Sequence, residues 1–343
     1  MKSLIDKLVQ ESILQKEEWI FLLSNRDPEI TEYAFKKARQ VSLQHFGNKV
    51  FVRGLIEFTN CCKNNCFYCG IRAGNKKVAR YRLTKEEILT CCRIGNELGF
   101  KTFVLQGGED PWFTDEKLLD IITAIKEKYP DNALTLSLGE RSYASYFAFK
   151  EAGVDRYLLR HETTNSEHYS KLHPENLSDI SRKQCLMDLK NIGFQTGTGF
   201  MVGSPYQIIK NLAEDMLFIA EFKPQMLGIG PFIPHKDTPF ADFQAGSVEL
   251  TLFLLALARL LLPKVLLPAT TALGTLDPNG REKAVLAGAN VVMPNLSPLR
   301  VREQYMLYNN KIATGLEAAE GVKKLAGNMA AIGYELVHER GDY

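Results

Sequence analysis

Eight short apolar runs, the first seven each followed by a helical window, fill most of this 343-residue chain, and that alternation limits its fold more than any single motif. The runs fall at 52–58, 102–106, 134–138, 156–160, 196–201, 226–230, 265–269 and 290–293. They are continuous rather than alternating in polarity, as expected of parallel strands covered on both faces. Helical windows fall near 84–98, 116–128, 143–152, 181–192, 209–222, 250–262 and 280–287. Thr84-Lys85-Glu86-Glu87 is a capping box that opens the first of them, and Gly99 stops it. Eight β/α units in about 250 residues predict an α/β fold, a (β/α)8 TIM barrel. A doubly wound sheet is the alternative, but it normally carries a glycine-rich turn after its first strand. The nearest such string, Gly197, Gly199 and Gly203, falls within and after a later strand. Residues 1–48 predict a helical N-terminal extension, with Asp27-Pro28-Glu29 as a helix start. The barrel is expected over 49–310, and a C-terminal helical segment packed on it over 311–343.

Charge and hydropathy remove several function classes. With 42 Lys+Arg against 40 Asp+Glu there is no cationic excess to grip a phosphate backbone, so no nucleic-acid partner is expected. The longest greasy stretch, 252–262, is about half the ~20 residues a membrane span needs, and it contains Arg259. The N-terminus, MKSLIDKLVQESILQKEEW, is charged and amphipathic rather than a signal peptide. A cytoplasmic protein with no membrane partner is expected.

In a barrel, reactive groups gather at the C-terminal ends of the strands. The residues there include Cys62, Cys66 and Cys69, Glu109-Asp110, Ser137, Glu140, Arg160-His161-Glu162, His235, Thr270-Thr271 and Asn295. Seven cysteines occur, at 61, 62, 66, 69, 91, 92 and 185, with four of them inside nine residues. That density suits a local thiolate metal site better than a disulfide framework. From Cys62 the spacing is C-x3-C-x2-C, with Tyr68 just before the last cysteine. Three thiolates can hold three irons of a cubane cluster and leave the fourth open, since full protein ligation takes four. Read from Cys61, the spacing starts a plant-type ferredoxin pattern, which needs a further cysteine downstream. A structural zinc site would need a fourth ligand from a second CxxC or a His pair, and neither stands at suitable spacing. Cys61 reads as a bystander, and Cys91, Cys92 and Cys185 as small core residues on helices.

This cysteine spacing after the first barrel strand resembles the radical S-adenosylmethionine (radical SAM) superfamily. Gln106-Gly107-Gly108-Glu109-Asp110-Pro111 resembles the family's GGE element, which meets the SAM amino group. The strings Tyr157-Leu158-Leu159-Arg160-His161-Glu162-Thr163 and Ile229-Gly230-Pro231-Phe232-Ile233-Pro234-His235 narrow the resemblance. From about residue 50 to 310 the chain is similar to the HydE family of [FeFe]-hydrogenase maturases. Biotin synthase and methylornithine synthase share the overall plan.

The resemblance implies one [4Fe–4S] cluster on Cys62, Cys66 and Cys69, with SAM on the open iron. SAM is then cleaved to methionine and a 5′-deoxyadenosyl radical. The implied substrate is a small anion, a cysteine-bound iron carbonyl–cyanide precursor of the hydrogenase H-cluster. The implied partners are the other hydrogenase maturases and an electron donor such as ferredoxin or flavodoxin. Gly107, Gly108, Glu109, Tyr68, Ser137, Glu162 and Arg182 fall to the SAM site, with Met226 and Ile229 lining its side of the cavity. Thr135, Arg160, Thr270, Thr271 and Met293 face the substrate, and Tyr305 and Tyr308 close the mouth. Each has a plainer reading beside it: Arg182 as a helix-surface charge, Arg160 paired with Glu162 or Glu140, His161 and His235 as hydrogen-bonded wall residues, Met226 and Ile229 as core, the tyrosines as packing. Some relatives bind an accessory cluster through three C-terminal cysteines; 311–327 contains none, so a single cluster is expected. A radical SAM mutase or lyase acting on an amino acid, such as methylornithine synthase, is the alternative activity.

Overall fold

The computed structural model describes residues 1–312 and 318–343; residues 313–317, inside the expected C-terminal segment, lie outside the described residues. Three helices, Lys2–Glu11, Lys16–Ser24 and Pro28–Phe46, precede the first strand. The third starts where Asp27 accepts the Ile30 amide, with Pro28 in the first turn, where its missing N–H costs nothing. These helices pack on Ile209–Phe222 and Val248–Leu261. That second layer explains the greasy stretch: every residue from Thr251 to Leu261 is buried, because the helix is covered on both sides. Arg259, wholly buried there, donates to the carbonyls of Gly288 and Pro263 and to Asn290 Oδ1.

The strands are β1 (Lys49–Val52), β2 (Gly54–Thr59), β3 (Thr102–Gly107), β4 (Ala133–Ser137), β5 (Arg156–Leu158), β6 (Gln195–Val202), β7 (Met226–Pro231), β8 (Val291–Val292) and β9 (Glu335–Val337). β2 to β7 pair in order and in parallel. The expected seventh strand, 265–269, makes only single bridges, Met226 to Leu266 and Pro268 to Val291, since Pro268 has no amide hydrogen to extend a ladder. It still fills its place, with Leu227 N to Leu266 O at 3.0 Å and Ala269 N to Val291 O at 2.8 Å. Leu55 closes the ring on the far side by bridging Asn295. The barrel is therefore complete.

Two features depart from the expectation. The first strand is broken at Arg53: both halves keep one register against β8 and the residues after it, but the other edge of β1 pairs with β9 where that of β2 pairs with β3. The C-terminal segment is not only helical: the helix Ala318–Ala331 is followed by β9. Beyond β9 the chain end seals the bottom of the barrel, where Arg53 donates to Gly341 O and Arg156 to Asp342 Oδ1.

Which residues face inward follows from the pleat. Phe58, Leu105, Leu136, Tyr157, Phe200, Leu227, Ile229 and Leu267 belong to the layer under the helices. Their neighbours Leu55, Glu57, Val104, Thr135, Gly197, Gly199, Gly228 and Gly230 form the inner wall. A Cβ on Gly228 would meet only Thr198 O, at 3.8 Å, so this glycine leaves open space beside it, whereas Gly197, Gly199 and Gly230 are closely packed.

Candidate active site

The loop after β2 carries the cysteines. Arg80 folds it by donating to the carbonyls of Asn60, Ile71, Arg72 and Asn75. Cys61 Sγ turns away, toward Tyr81 O at 3.8 Å. Cys62, Cys66 and Cys69 are free thiols that share one partly buried region. Burial pushes up all three, Cys69 to about 12, and at Cys66 and Cys69 the neighbouring thiolates of the trio push further. Among the described residues, no three His, Cys, Asp or Glu side chains close on a point that would take a single metal ion. The fit to a polynuclear cluster rests on the donor set: three uncommitted thiols on one loop, and a fourth cysteine bonded elsewhere. Binding would have to displace three protons. Backbone glycines bring the walls against this loop. A Cβ on Gly108 would lie 2.2 Å from Cys61 O and 2.7 Å from Cys62 Cβ, and one on Gly70 would meet Met306 O and the His235 ring.

Around the thiols stand the residues expected at the SAM site. Asp110 is fully used, by Arg82, Thr59 and the Trp112 amide, so it holds the β3 turn. Glu109 lies on the bare backbone of Gly139, accepts the Glu140 amide at 3.0 Å, and has Lys63 at 3.5 Å and Arg182 at 3.9 Å. Arg182 is no surface charge: it donates to Arg160 O at 2.6 Å and to Glu140 Oε1 at 2.8 Å, tying two strand ends together. Ser137 ends β4 beside Gln106 of β3.

Glu162 is strained, with φ +66 and a buried carboxylate. Its amide donates to Gly199 O, and Thr164 N donates to Asp215 Oδ1. Behind it His161 bonds Thr198 and faces Asp215 at 3.4 Å, on the helix side of the wall rather than in the cavity. Arg160 comes within 3.3 Å of Glu162 Oε2, yet Arg160 Nε and Nη2, Glu162 Oε2 and Thr135 Oγ1 are buried without a hydrogen bond. Such atoms are costly to leave unsatisfied, and they point to an absent ligand.

Tyr68 donates to His173 Nε2, 3.2 Å away, because His173 Nδ1 is committed to Tyr169 O. Burial holds His173 down at about 4, so it stays a neutral acceptor. Tyr305 is buried between Gln106 and the Lys311 ammonium. Tyr308 faces Thr275 and Arg281.

A cavity of about 390 Å³ opens beside this site, with Thr271 and Met293 in its wall. Thr270 caps the helix Thr271–Leu276 and faces Gly230. Also in that wall are Glu57, Asn295, Arg281 and Lys311. Glu57, almost wholly buried, accepts from Lys311 at 2.5 Å and Asn295 at 2.8 Å. Sequence reasoning passed over Glu57, Arg281 and Lys311; a lone carboxylate inside the apolar run 52–58 was the available signal.

Two expected residues are corrected. Ile229 sits in the layer under the helices, with Phe200 beside it, because the inner positions of β7 are Gly228 and Gly230. Met226 points inward but at the opposite end of β7, where its sulfur meets Arg53 at 3.1 Å and it packs with Phe51, Leu266, Val291 and Val337.

The model of the radical SAM superfamily matches residues 56–219, from β2 through the helix Ile209–Phe222. The chain is 48% identical over 290 residues to the [FeFe] hydrogenase maturase subunit HydE of Thermotoga maritima, covering 84% of this chain and 82% of that one. It is 29% identical over 298 residues to 3-methylornithine synthase of Methanosarcina acetivorans, covering 84% and 81%. Among solved structures, methylornithine synthase (PylB) superposes with a TM-score of 0.85 at 27% identity over 97% of both chains.

Proposed function

Because this chain belongs to the HydE family of the radical SAM superfamily, we propose that it acts in [FeFe]-hydrogenase maturation on a small anionic precursor, a cysteine-bound iron carbonyl–cyanide complex. It is a radical SAM enzyme, and its cofactors are a [4Fe–4S] cluster and SAM. Once bound and reduced by one electron, these supply a 5′-deoxyadenosyl radical. Cys62, Cys66 and Cys69 hold the cluster. Glu109 takes the SAM ammonium, and Gly107, Gly108 and Gly139 let the backbone come close enough for it to do so. Ser137 and Glu162 hold the SAM ribose and methionine ends, with Arg182 fixing the strand ends that carry them. Tyr68 and Tyr305 shut water out of the site.

The observation that carries the substrate class is the Arg160 guanidinium, whose buried Nε has no partner and whose buried Nη2 has only the 3.3 Å ion pair with Glu162 and no hydrogen bond. A guanidinium of this kind binds an anion in two-point fashion. Thr135, Thr270, Thr271 and Met293 complete the substrate wall, and Arg281 adds positive charge to the adjoining cavity, where Lys311 is neutralised by Glu57. The seven free cysteines suit a reducing, cytoplasmic setting.

A second reading, a mutase or lyase acting on an amino acid, draws support from the superposition on methylornithine synthase. SAM consumption by the reduced enzyme decides between them. The proposal expects stimulation by a synthetic cysteine-bound iron carbonyl–cyanide complex and none by free amino acids. Stimulation by an amino acid alone would overturn it in favour of the second reading.

A further inference from the structure

We propose that Asp215 and Thr198 are positioning residues for the SAM site: together they clamp the backbone turn that presents the Glu162 carboxylate. The inference rests on reading Glu162 as a SAM-holding group. A hydrogen bond from Thr163 N to His161 O, 2.9 Å, closes a γ-turn with Glu162 at its centre. A positive φ at that position, +66 here, marks the rare and strained form of the turn. Such a conformation persists only where its surroundings over-determine it. Here they do so amide by amide. Glu162 N donates to Gly199 O at 3.0 Å, an ordinary backbone link to β6. The outer amides of the turn go to side chains instead. His161 N donates to Thr198 Oγ1 at 3.2 Å, and Thr164 N donates to Asp215 Oδ1 at 2.6 Å. Both of these side chains are wholly buried.

Neither anchor faces the cavity. Thr198 shares the helix side of β6 with Phe200, and Asp215 stands on the helix Ile209–Phe222. The His161 ring lies between them. It bonds Thr198 Oγ1 at 2.8 Å, faces Asp215 at 3.4 Å, and packs against Phe218 at 4.9 Å and Phe200 at 5.8 Å. Burying a carboxylate is costly, and His161 offsets only part of that cost, since Asp215 Oδ2 and His161 Nε2 have no hydrogen bond. What the charge supplies is a charge-assisted bond to Thr164 N, stronger than an amide oxygen would make. Without either anchor, residue 162 relaxes to the negative φ that L-residues prefer, and its carboxylate swings off the site.

The test is steady-state SAM cleavage by the reconstituted, dithionite-reduced protein, read as KM against kcat, with iron and sulfide assayed in every variant. Asp215→Ala should raise KM for SAM about tenfold, the equivalent of one misplaced charge-assisted bond, and leave kcat within about threefold. Asp215→Asn keeps an oxygen for Thr164 N and loses only the charge, so its KM should stay within about threefold of the unmodified protein. Thr198→Val removes the other anchor at nearly constant shape and should raise KM as Asp215→Ala does; it decides the matter if Asp215→Ala does not fold. A fall in kcat at unchanged KM would mean fewer active molecules rather than a displaced carboxylate, and would overturn the clamp. An Asp215→Asn variant as impaired in KM as Asp215→Ala would overturn it too. Glu162→Ala should raise KM at least as far, and an unchanged KM there would overturn the reading of Glu162 beneath the clamp.

Discussion

Replacing Gly139 with alanine should separate the SAM site from the scaffold. Gly139 has φ +72, and a Cβ there would lie 2.1 Å from Glu109 Cγ and Oε1. The backbone penalty for an L-residue in this region is about 1–2 kcal/mol. The added methyl must also push the Glu109 carboxylate off its seat and break its 3.0 Å bond from the Glu140 amide, a charge-assisted bond worth about 1.5–3 kcal/mol. Gly193→Ala is the matched control: φ is +91, but a Cβ there meets nothing within 4 Å. Both variants should lose about 1–2 kcal/mol of stability to backbone strain. Only Gly139→Ala should also lose SAM affinity, by about 10- to 100-fold, the equivalent of one such bond. Equilibrium binding of SAM to the reconstituted proteins, beside denaturant unfolding, reads both quantities. SAM binding within twofold of the unmodified protein in Gly139→Ala would refute the role given to Glu109.

Other outcomes are equally specific. Cys62, Cys66 and Cys69 changed singly to Ala should each abolish the SAM-responsive electron paramagnetic resonance signal, whereas Cys61→Ala should keep it; loss in Cys61→Ala would mean the first ligand is misassigned. Lys311→Met strands a buried carboxylate at Glu57 and should cost about 3–5 kcal/mol in denaturant unfolding. Adding Glu57→Gln should restore most of that stability, and no recovery would contradict the pairing. Glu162→Gly relieves the left-handed strain, so its unfolding midpoint should not fall although SAM binding is lost; a falling midpoint would show that the strain is not relieved. His173 stays neutral down to about pH 4, whereas the unfolded chain takes up the proton below about 6.5. It therefore has no effect above pH 6.5 and destabilises the fold increasingly as pH falls toward 4, by about 3 kcal/mol in full. His173→Gln should flatten the stability slope in that window, and an unchanged slope would sink the assignment.

The order of elements was legible because apolar runs and capping signals are local. What the runs could not convey is phase. A strand buried on both faces shows no polar alternation, so nothing in 226–230 says that Gly228 and Gly230 face the cavity while Ile229 faces the helices. Met226 has the right phase but the wrong height, which depends on how far each strand reaches along the barrel. The break at Arg53 and the pairing of β1 with β9 join residues almost 290 positions apart, beyond any local pattern. The cysteine spacing needed no long-range information, since all three ligands lie on one loop. The left-handed backbone of Glu162 had no such local signal, because it arises where the β5 end must meet β6 and the Asp215 side chain. Glu57 and Lys311 find each other only after the barrel closes.

The central claim is that Cys62, Cys66 and Cys69 carry a cluster that SAM joins and is cleaved at. The most direct measurement is chromatography of 5′-deoxyadenosine formed when the anaerobically reconstituted protein is incubated with SAM and dithionite. The account predicts 5′-deoxyadenosine and methionine in equal amounts, with none from the Cys66→Ala variant. A protein carrying its full iron and sulfide that still leaves SAM intact would contradict it.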